Sequence, residues 1–192
     1  INQFLNKNLF AATMIVYRDL ITGDEMLSSA FPLRQVVDEE GNEVAGLMCC
    51  SSKMIVKGGD DVDIGCGNAF GGDAEDAGGP GAEEKVNNVI DSFGYNETQI
   101  GTAADFKAWI KDYMNAVRTK MREAGKPKEE IQNFMAMAPG IAKFFLKRFS
   151  DVQFYLGASF NPESMVFSIY ADGEVTPDFY LIMPGFSAEK FY

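Results

Sequence analysis

Any chemistry in this chain must proceed without histidine, because none of its 192 residues is a histidine. Histidine is the commonest general base and a frequent metal ligand. Its absence excludes Ser-His-Asp and Cys-His nucleophile arrangements, the two-histidine helix of metalloproteases and most catalytic zinc sites. Lysine or carboxylate catalysis stays open in principle, but no motif in the sequence indicates it. The composition therefore favours a protein that is not an enzyme.

The carboxylates between residues 58 and 84 are the best candidate metal ligands. This stretch holds many glycines and no Lys or Arg, which predicts a mobile acidic loop. Asp61-Val-Asp63-Ile-Gly65 begins like a calcium-binding loop, but it fails at the fifth position and has Gly72 where the twelfth ligand should be. An EF-hand is therefore excluded. Weak calcium binding through Asp60, Asp61 and Asp63 stays open, and no other cofactor is required.

The remaining short motifs do not support a cofactor site. The chain has three cysteines, Cys49, Cys50 and Cys66. Their spacing does not match a paired metal-binding motif, and an odd number cannot form a complete set of disulfides, so we expect reduced thiols on a strand and a loop. The stretch from Gly65 to Phe70 lacks the last glycine of the dinucleotide-binding fingerprint, and no P-loop is present.

A change in hydrophobic period predicts two helices in the second half of the chain. From Phe106 to Met121, apolar residues recur at three- and four-residue spacing, and Thr102 with Asp105 resembles a capping box that starts the helix near Ala103. Gly125 and Pro127 end it. The second helix is predicted to continue to Phe149, and the short connection makes the pair an antiparallel hairpin over residues 103–150.

Pro139 lies in the middle of the second helical pattern. Proline removes a backbone hydrogen bond and clashes with the preceding turn. We therefore predict a break or sharp bend between Met137 and Gly140. Beyond it, Phe145 and Phe149 should pack on the core, while Lys143, Lys147 and Arg148 should point away from the sheet.

The predicted hairpin is basic, although the chain has a net charge of −11. Residues 106–148 hold ten basic and four acidic side chains, a net of +6, and the rest of the chain carries −17. The ten cations are Lys107, Lys111, Arg118, Lys120, Arg122, Lys126, Lys128, Lys143, Lys147 and Arg148. Two interpretations stay open: a solvated helix face, or a docking surface for an acidic protein partner. Nucleic acid is disfavoured, because the overall charge opposes phosphate and no binding module is present.

Segments of strand length make up most of the remaining chain. We predict strands at residues 15–18, 31–37, 45–56, 85–95, 152–156, 165–170 and 176–183, with a short helical turn at 24–26. Together with the hairpin they predict an α+β fold, a mainly antiparallel sheet assembly in one domain over residues 14–192. Residues 1–13 are predicted to be a mobile extension. No apolar run is long enough to span a membrane.

Several motifs in fixed order resemble the translationally controlled tumour protein family. They are Met14-Ile-Val-Tyr-Arg-Asp-Leu-Ile-Thr-Gly-Asp-Glu-Met26, Ile110-Lys-Asp-Tyr-Met114, Phe154-Tyr-Leu-Gly157, Asn161-Pro162, Met165-Val166 and Asp172-Gly-Glu-Val-Thr-Pro177. The resemblance covers residues 14–192. It implies a tent-like sheet assembly, a fold shared with small zinc-containing Rab exchange chaperones. Those chaperones bind zinc through paired CxxC motifs, which are absent from this sequence.

The resemblance also implies a function. It indicates a cytoplasmic, growth- and survival-associated protein that binds small GTPases, tubulin, apoptosis regulators and, weakly, calcium. Asp24 and Glu25 match the segment in which an acidic residue contacts a GTPase lysine, and Asn68 and Gln153 match positions implicated in calcium binding. The alternative is a guanine nucleotide exchange factor for a Rheb-like GTPase.

Three departures from the family pattern limit what the resemblance implies. An extra residue lies within Ile64-Gly-Cys-Gly-Asn68, and Phe70 stands where a serine is usual. Ala158 replaces a typical glutamate. The chain also lacks the common terminal cysteine, so a disulfide dimer through that residue is unavailable and we expect a monomer.

Overall fold

A computed structural model describes residues 13–57 and 84–192 of the chain. These residues form eleven strands and three α-helices. The strands are β1 (Met14–Asp19), β2 (Glu25–Ser28), β3 (Arg34–Val37), β4 (Glu43–Ser51), β5 (Met54–Val56), β6 (Lys85–Asn87), β7 (Asn96–Thr98), β8 (Val152–Leu156), β9 (Val166–Ile169), β10 (Asp178–Ile182) and β11 (Phe186–Phe191). The helices are α1 (Asn88–Phe93), α2 (Ala103–Glu123) and α3 (Lys128–Lys147).

The strands form three antiparallel sheets. The largest has the order β3-β4-β10-β9-β8-β7, a second has β11-β1-β2, and β5 pairs with β6. In the second sheet β1 pairs with β11 along its whole length, from Met14 opposite Phe191 to Asp19 opposite Phe186. With the α2–α3 hairpin, this arrangement confirms the predicted α+β class.

The start of α2 follows the local sequence signal. The Thr102 hydroxyl accepts a hydrogen bond from the Asp105 amide at 3.1 Å, and the helix begins at Ala103 as predicted. It ends at Glu123, and Gly125 follows with φ +69°, a left-handed conformation that glycine adopts without steric cost. Local signals therefore place both ends of this helix.

The hairpin packs its apolar stripes on the large sheet through aromatic side chains. Phe106 from α2, Phe145 from α3 and Phe167 from β9 are fully buried, and the Phe145 and Phe167 rings lie 4.4 Å apart between centroids. Phe149 lies in a short 3₁₀ helix just after α3 and packs against this core as a partly buried ring. The predicted packing of Phe145 and Phe149 is confirmed, although Phe149 is outside the helix.

The predicted break at Pro139 is wrong, because α3 runs without interruption from Lys128 to Lys147. Pro139 is exposed, and the buried residues on either side, Phe134 and Ile141, belong to the same core. Burial of both halves of the helix in one core offsets the lost backbone hydrogen bond at the proline.

The predicted strand at 85–95 is also wrong. Only residues 85–87 are extended; Asn87 then caps α1 by accepting hydrogen bonds from the amides of Val89 and Ile90. Gly94 ends α1 in the left-handed conformation. The apolar spacing of residues 86, 89, 90 and 93 is helical, and this signal was present in the sequence.

Other elements also differ from the prediction. Residues 24–26 do not form a helical turn, because Glu25 begins β2 and pairs with Arg18 of β1. The predicted strand at 45–56 is divided into β4 and β5. Strand β11 was not predicted at all, since its pairing with β1 joins opposite ends of the chain and has no local signal.

Candidate protein interface

Four of the ten predicted cations meet in one groove between α2 and α3. Arg118 and Arg122 are one turn apart on α2, Lys126 lies in the connection, and Lys128 begins α3. They line a cavity of ≈ 560 Å³. The other lining residues are Ile131, Gln132 and Met135. We call this cavity the interhelix groove.

The interhelix groove has basic rims and an apolar wall. Ile131 and Met135 are one helical turn apart on α3 and half-buried, so both present apolar surface to the cavity. Among residues 13–57 and 84–192, no acidic residue lines the groove. A groove of this kind fits a segment that carries both carboxylates and an apolar side chain.

The cations of the interhelix groove are largely uncompensated. Lys126 pairs with Glu130 at 3.0 Å, with both side chains nearly half exposed. Arg118, Arg122 and Lys128 form no ion pair within residues 13–57 and 84–192. In the same part of the chain, the Nε atom of Arg118 is buried without a hydrogen-bond partner. A buried donor without an acceptor is unfavourable, so an incoming carboxylate would stabilise this side chain.

Lys147 and Arg148 do not belong to that surface. Lys147 donates to the Glu39 carboxylate, and Arg148 lies 3.4 Å from its other oxygen. The Arg148 guanidinium also lies 4.4 Å from the centroid of the Phe144 ring. The Lys147 hydrogen bond, more than any other contact, lowers the pKa of Glu39. The prediction that these cations point away from the sheet is therefore wrong, because both contact the β3–β4 turn.

The other four cations are dispersed. Lys120 pairs with Glu123 at 3.4 Å along α2. Lys107, Lys111 and Lys143 are exposed and form no ion pair within the described ranges. Lys143 lines a separate cleft of ≈ 330 Å³ between α3 and the β3–β4 turn, where acidic residues also contribute. The ten cations therefore do not form one continuous docking face.

The two candidate GTPase-contacting acids differ in their surroundings. Glu25 is half exposed and accepts a bond of 2.5 Å from Arg18, which also donates to Glu189 on β11 at 2.9 Å. These contacts, led by the hydrogen bond to Glu189, raise the pKa of Arg18. The result is a cross-strand triad over β2, β1 and β11, and its two missed members, Arg18 and Glu189, lie 171 residues apart in sequence.

Asp24 instead joins two loops. Its carboxylate accepts hydrogen bonds from the Ser159 hydroxyl at 2.6 Å and the Ser159 amide at 3.2 Å. Both bonds hold the β1–β2 turn against the loop after β8. Asp24 therefore has a structural role. Glu25 is the more exposed acid of the pair, because about half of its side-chain area is accessible to solvent.

Most of the predicted calcium set lies outside the described residues. This applies to Asp60, Asp61, Asp63 and Asn68. Gln153 lies on β8, where its side-chain oxygen accepts hydrogen bonds from the hydroxyls of Tyr155 and Ser168 at 3.0 and 3.4 Å. Within residues 13–57 and 84–192, no three His, Cys, Asp or Glu residues are placed to hold a metal ion.

The described cysteines are structural thiols. Cys49 and Cys50 are free and buried on β4. Burial raises the pKa of both, that of Cys50 to about 12, so neither is a reactive thiolate at neutral pH. Cys66 lies outside the described residues. In the part of the chain that the structure covers, no helix is long and apolar enough to cross a membrane.

Comparison with known proteins gives the same family from sequence and structure. The sequence model described as translationally controlled tumour protein matches residues 14–187. A relative from Neurospora crassa, named translationally-controlled tumor protein homolog, is 37% identical over 166 residues, which are 85% of this chain and 92% of the relative. A homologue of the same name from Schizosaccharomyces pombe is 34% identical over 179 residues, covering 93% of this chain and all of the relative.

Solved structures agree with the fold. The translationally controlled tumour-associated protein of Schizosaccharomyces pombe superposes with a TM-score of 0.68 at 33% identity, over 92% of this chain and 99% of the other. The translationally-controlled tumor protein of Caenorhabditis elegans gives a TM-score of 0.58 at 23% identity, over 93% and 99%. At that identity the second comparison supports the fold alone.

Proposed function

This chain belongs to the translationally controlled tumour protein family, and we propose that it is a non-enzymatic, cytoplasmic interaction protein that docks acidic protein segments in its interhelix groove. Tubulin tails are the model partner, because they are acidic and the resemblance implies tubulin binding. The proposal includes a second surface around Glu25 for a small GTPase, and an association with growth, survival and apoptosis regulators.

The observation that carries the proposal is the convergence of Arg118, Arg122 and Lys128 beside an apolar wall. The three side chains are not compensated by acids of the described residues, although the chain as a whole is strongly acidic. A local basic site on an acidic protein attracts acidic segments, while the negative charge of the rest of the chain opposes the close approach of a second copy. No aromatic residue of the described part of the chain lines the groove, and without an aromatic surface for base stacking the site favours a peptide over nucleic acid.

Charge reversal tests this assignment. We expect Arg118→Glu/Arg122→Glu to weaken binding of a labelled tubulin-tail peptide by about tenfold or more, measured by fluorescence anisotropy at low salt. The matched control is Lys107→Glu/Lys111→Glu, which changes the net charge equally on the same helix but outside the groove. Equal weakening by both pairs would show that net charge alone steers binding and would contradict a groove site.

The Glu25 surface has its own test. Glu25→Lys would place a cation beside Arg18, so Glu25→Gln is the cleaner change for the GTPase contact. Glu189→Gln is the matched control, because it removes the other acid that binds the same arginine. We expect Glu25→Gln, and not Glu189→Gln, to slow GTPase association at low salt. Unchanged association after Glu25→Gln contradicts a contact through Glu25.

Exchange activity is the alternative to simple binding. A catalyst of nucleotide exchange should release bound nucleotide from many GTPase molecules per copy of the protein, whereas an adaptor should only bind stoichiometrically. Release of labelled nucleotide from a panel of small GTPases at substoichiometric protein separates the two. Multiple turnover would favour the exchange factor.

Calcium binding is proposed to be weak. Asp60, Asp61, Asp63 and Asn68 supply oxygen ligands without an EF-hand framework, and the Gln153 oxygen already accepts two hydrogen bonds. Calorimetric titration should give a Kd in roughly the high-micromolar to millimolar range of weak calcium sites. Nanomolar affinity would contradict this assignment.

A further inference from the structure

Phe160 combines two features that folding alone does not favour. Its side chain is 64% exposed, and its backbone φ is +57°, the left-handed region in which the Cβ of an L-residue is crowded. It is the one non-glycine residue with positive φ in the described part of the chain. Glycine or asparagine would adopt this φ at a lower cost. The aromatic side chain therefore has no evident role in the stability of the fold.

The loop that carries Phe160 is held at several points. We call residues 157–164 the anchor loop. Asn96 donates to the Gly157 carbonyl at 3.2 Å, and Asp24 binds Ser159 as described above. Trp109 of α2 donates from its indole nitrogen to the Pro162 carbonyl at 2.8 Å. The Ser164 hydroxyl donates to the buried carboxylate of Asp19.

These bonds come from separate elements and fix the anchor loop on both sides of Phe160. The ring itself makes no aromatic contact within the described residues. A rigid backbone that presents a free aromatic side chain loses little entropy on binding, which is the property of an interface anchor. Scattered exposed apolar residues need no such explanation, but a strained and fixed one does.

The surroundings of Phe160 are acidic. The anchor loop and the adjoining residues 20–25 contain three carboxylates, Asp24, Glu25 and Glu163, and no Lys or Arg. Arg18 on β1 pairs with Glu25 but is shared with a fourth acid, Glu189, so carboxylates outnumber cations on this side of the protein. Glu25 follows Asp24, whose carboxylate contacts the residue preceding Phe160, so the exposed acid and the exposed ring lie on two segments that are hydrogen-bonded to each other. A complementary partner has an apolar pocket with basic side chains at its rim.

We infer that Phe160 is the apolar anchor of the Glu25 surface and inserts into a pocket with a basic rim on the partner protein. The inference rests on the proposed function, because it takes the partner to be the small GTPase that binds at Glu25. It adds a hydrophobic contact that is independent of the Glu25 charge. The two contributions should therefore separate when the ionic strength is changed.

The test compares the affinities of four proteins for the small GTPase that binds the wild type most tightly. The variants are Phe160→Gly, Glu25→Gln and Tyr170→Ala. Tyr170 is the control, because it is also an exposed aromatic but lies beyond the opposite end of β9 from the anchor loop. Calorimetry at about 50 and 300 mM salt spans strong and weak screening.

We expect Phe160→Gly to weaken binding about tenfold or more at both salt concentrations, with no fall in Tm. Glu25→Gln should weaken binding at low salt only, and Tyr170→Ala should leave it unchanged. Wild-type affinity in Phe160→Gly, while Glu25→Gln still weakens binding, overturns the anchor but not the GTPase surface. A failure of the wild type to bind any GTPase overturns both.

A packing role for Phe160 is tested by adding one further variant, Phe160→Asn. Phe160→Gly and Phe160→Asn can each keep the positive φ, so both should melt at or above the wild-type temperature. If both variants melt several degrees lower, the ring stabilises the fold and the anchor is overturned. Retained Tm with lost affinity in both variants supports it.

Discussion

The hydroxyl of Tyr113 lies in the space that a Cβ atom on Gly185 would need. Tyr113 is fully buried on α2, and Gly185 lies between β10 and β11. Burial, with the nearby Asp19 charge, raises the pKa of Tyr113 well above its usual range. The helix therefore approaches the sheets at a point where only glycine leaves room for the tyrosine.

Gly185→Ala is expected to destabilise the protein by about 1–3 kcal/mol, the usual cost of overpacking a dense core. Tyr113→Phe in the same background should recover part of that loss, because it removes the oxygen that the new methyl group meets. Urea unfolding of the two single variants and the double variant gives the coupling. Strictly additive losses would contradict a direct contact between the two positions.

Gly140→Ala serves as the matched control for a change of the same size. Gly140 lies inside α3, and a Cβ there would meet no atom within 4 Å. Alanine favours a helix interior over glycine by about 0.8–1.0 kcal/mol. We expect Gly140→Ala to raise the free energy of unfolding by about that amount, and a loss would contradict the open space at this position.

Pro139→Ala should also stabilise the protein, because Pro139 is exposed inside an uninterrupted helix. Proline is about 3 kcal/mol less favourable than alanine in a helix interior, and about 0.4–1 kcal/mol of this returns because proline restricts the unfolded chain. A rise of about 2 kcal/mol in urea unfolding is expected. No rise would show that neighbouring contacts depend on the proline itself.

The features of this structure that the sequence predicts are those that depend on residues close together in the chain. The start of α2 needs only Thr102 and Asp105, three residues apart, and its end needs only a glycine. The strand-length segments and the hairpin predicted the α+β class, and the resemblance to the family added only the tent-like arrangement of the sheets. The sequence of α1 has helical spacing, but so short an apolar segment is compatible with either a helix or a strand.

No local sequence pattern predicts which residues the candidate site residues contact. Glu39 meets Lys147 across 108 residues and Arg18 meets Glu189 across 171, so no window of sequence contains both members. Charge counting along the hairpin grouped all ten cations together. Only the packing of α3 against the β3–β4 turn separates the compensated Lys147 and Arg148 from the open cations of the interhelix groove.

The buried thiols give a prediction about reactivity. In a Cys66→Ser variant, Cys49 and Cys50 should react very slowly with Ellman's reagent at pH 8 in the native state. With its pKa raised to about 12, Cys50 has roughly one thiolate in ten thousand at this pH, and burial blocks access as well. In denaturant, both remaining thiols should react rapidly. Fast reaction of either cysteine in the folded protein would contradict their burial on β4.

The contact of Glu39 with Lys147 and Arg148 should make stability depend on pH in the acid range. The Lys147 hydrogen bond holds the folded pKa of Glu39 below the usual glutamate value of 4.5, so the unfolded chain takes up a proton first as the pH falls. The wild type should therefore be more stable than Glu39→Gln above pH 4.5, and this advantage should disappear as the pH drops through the lowered pKa. Urea midpoints at pH 7 and pH 3 measure it, and added salt should reduce the difference at pH 7.

Glu40→Gln is the control for that measurement, because Glu40 lines the same cleft without an ion pair to Lys147 or Arg148. Its midpoint relative to the wild type should change little between the two pH values. Should Glu39→Gln and Glu40→Gln show the same pH dependence, the effect would come from the acidity of the β3–β4 turn as a whole. The ion pair between Glu39 and α3 would then contribute nothing to holding the helix against the turn.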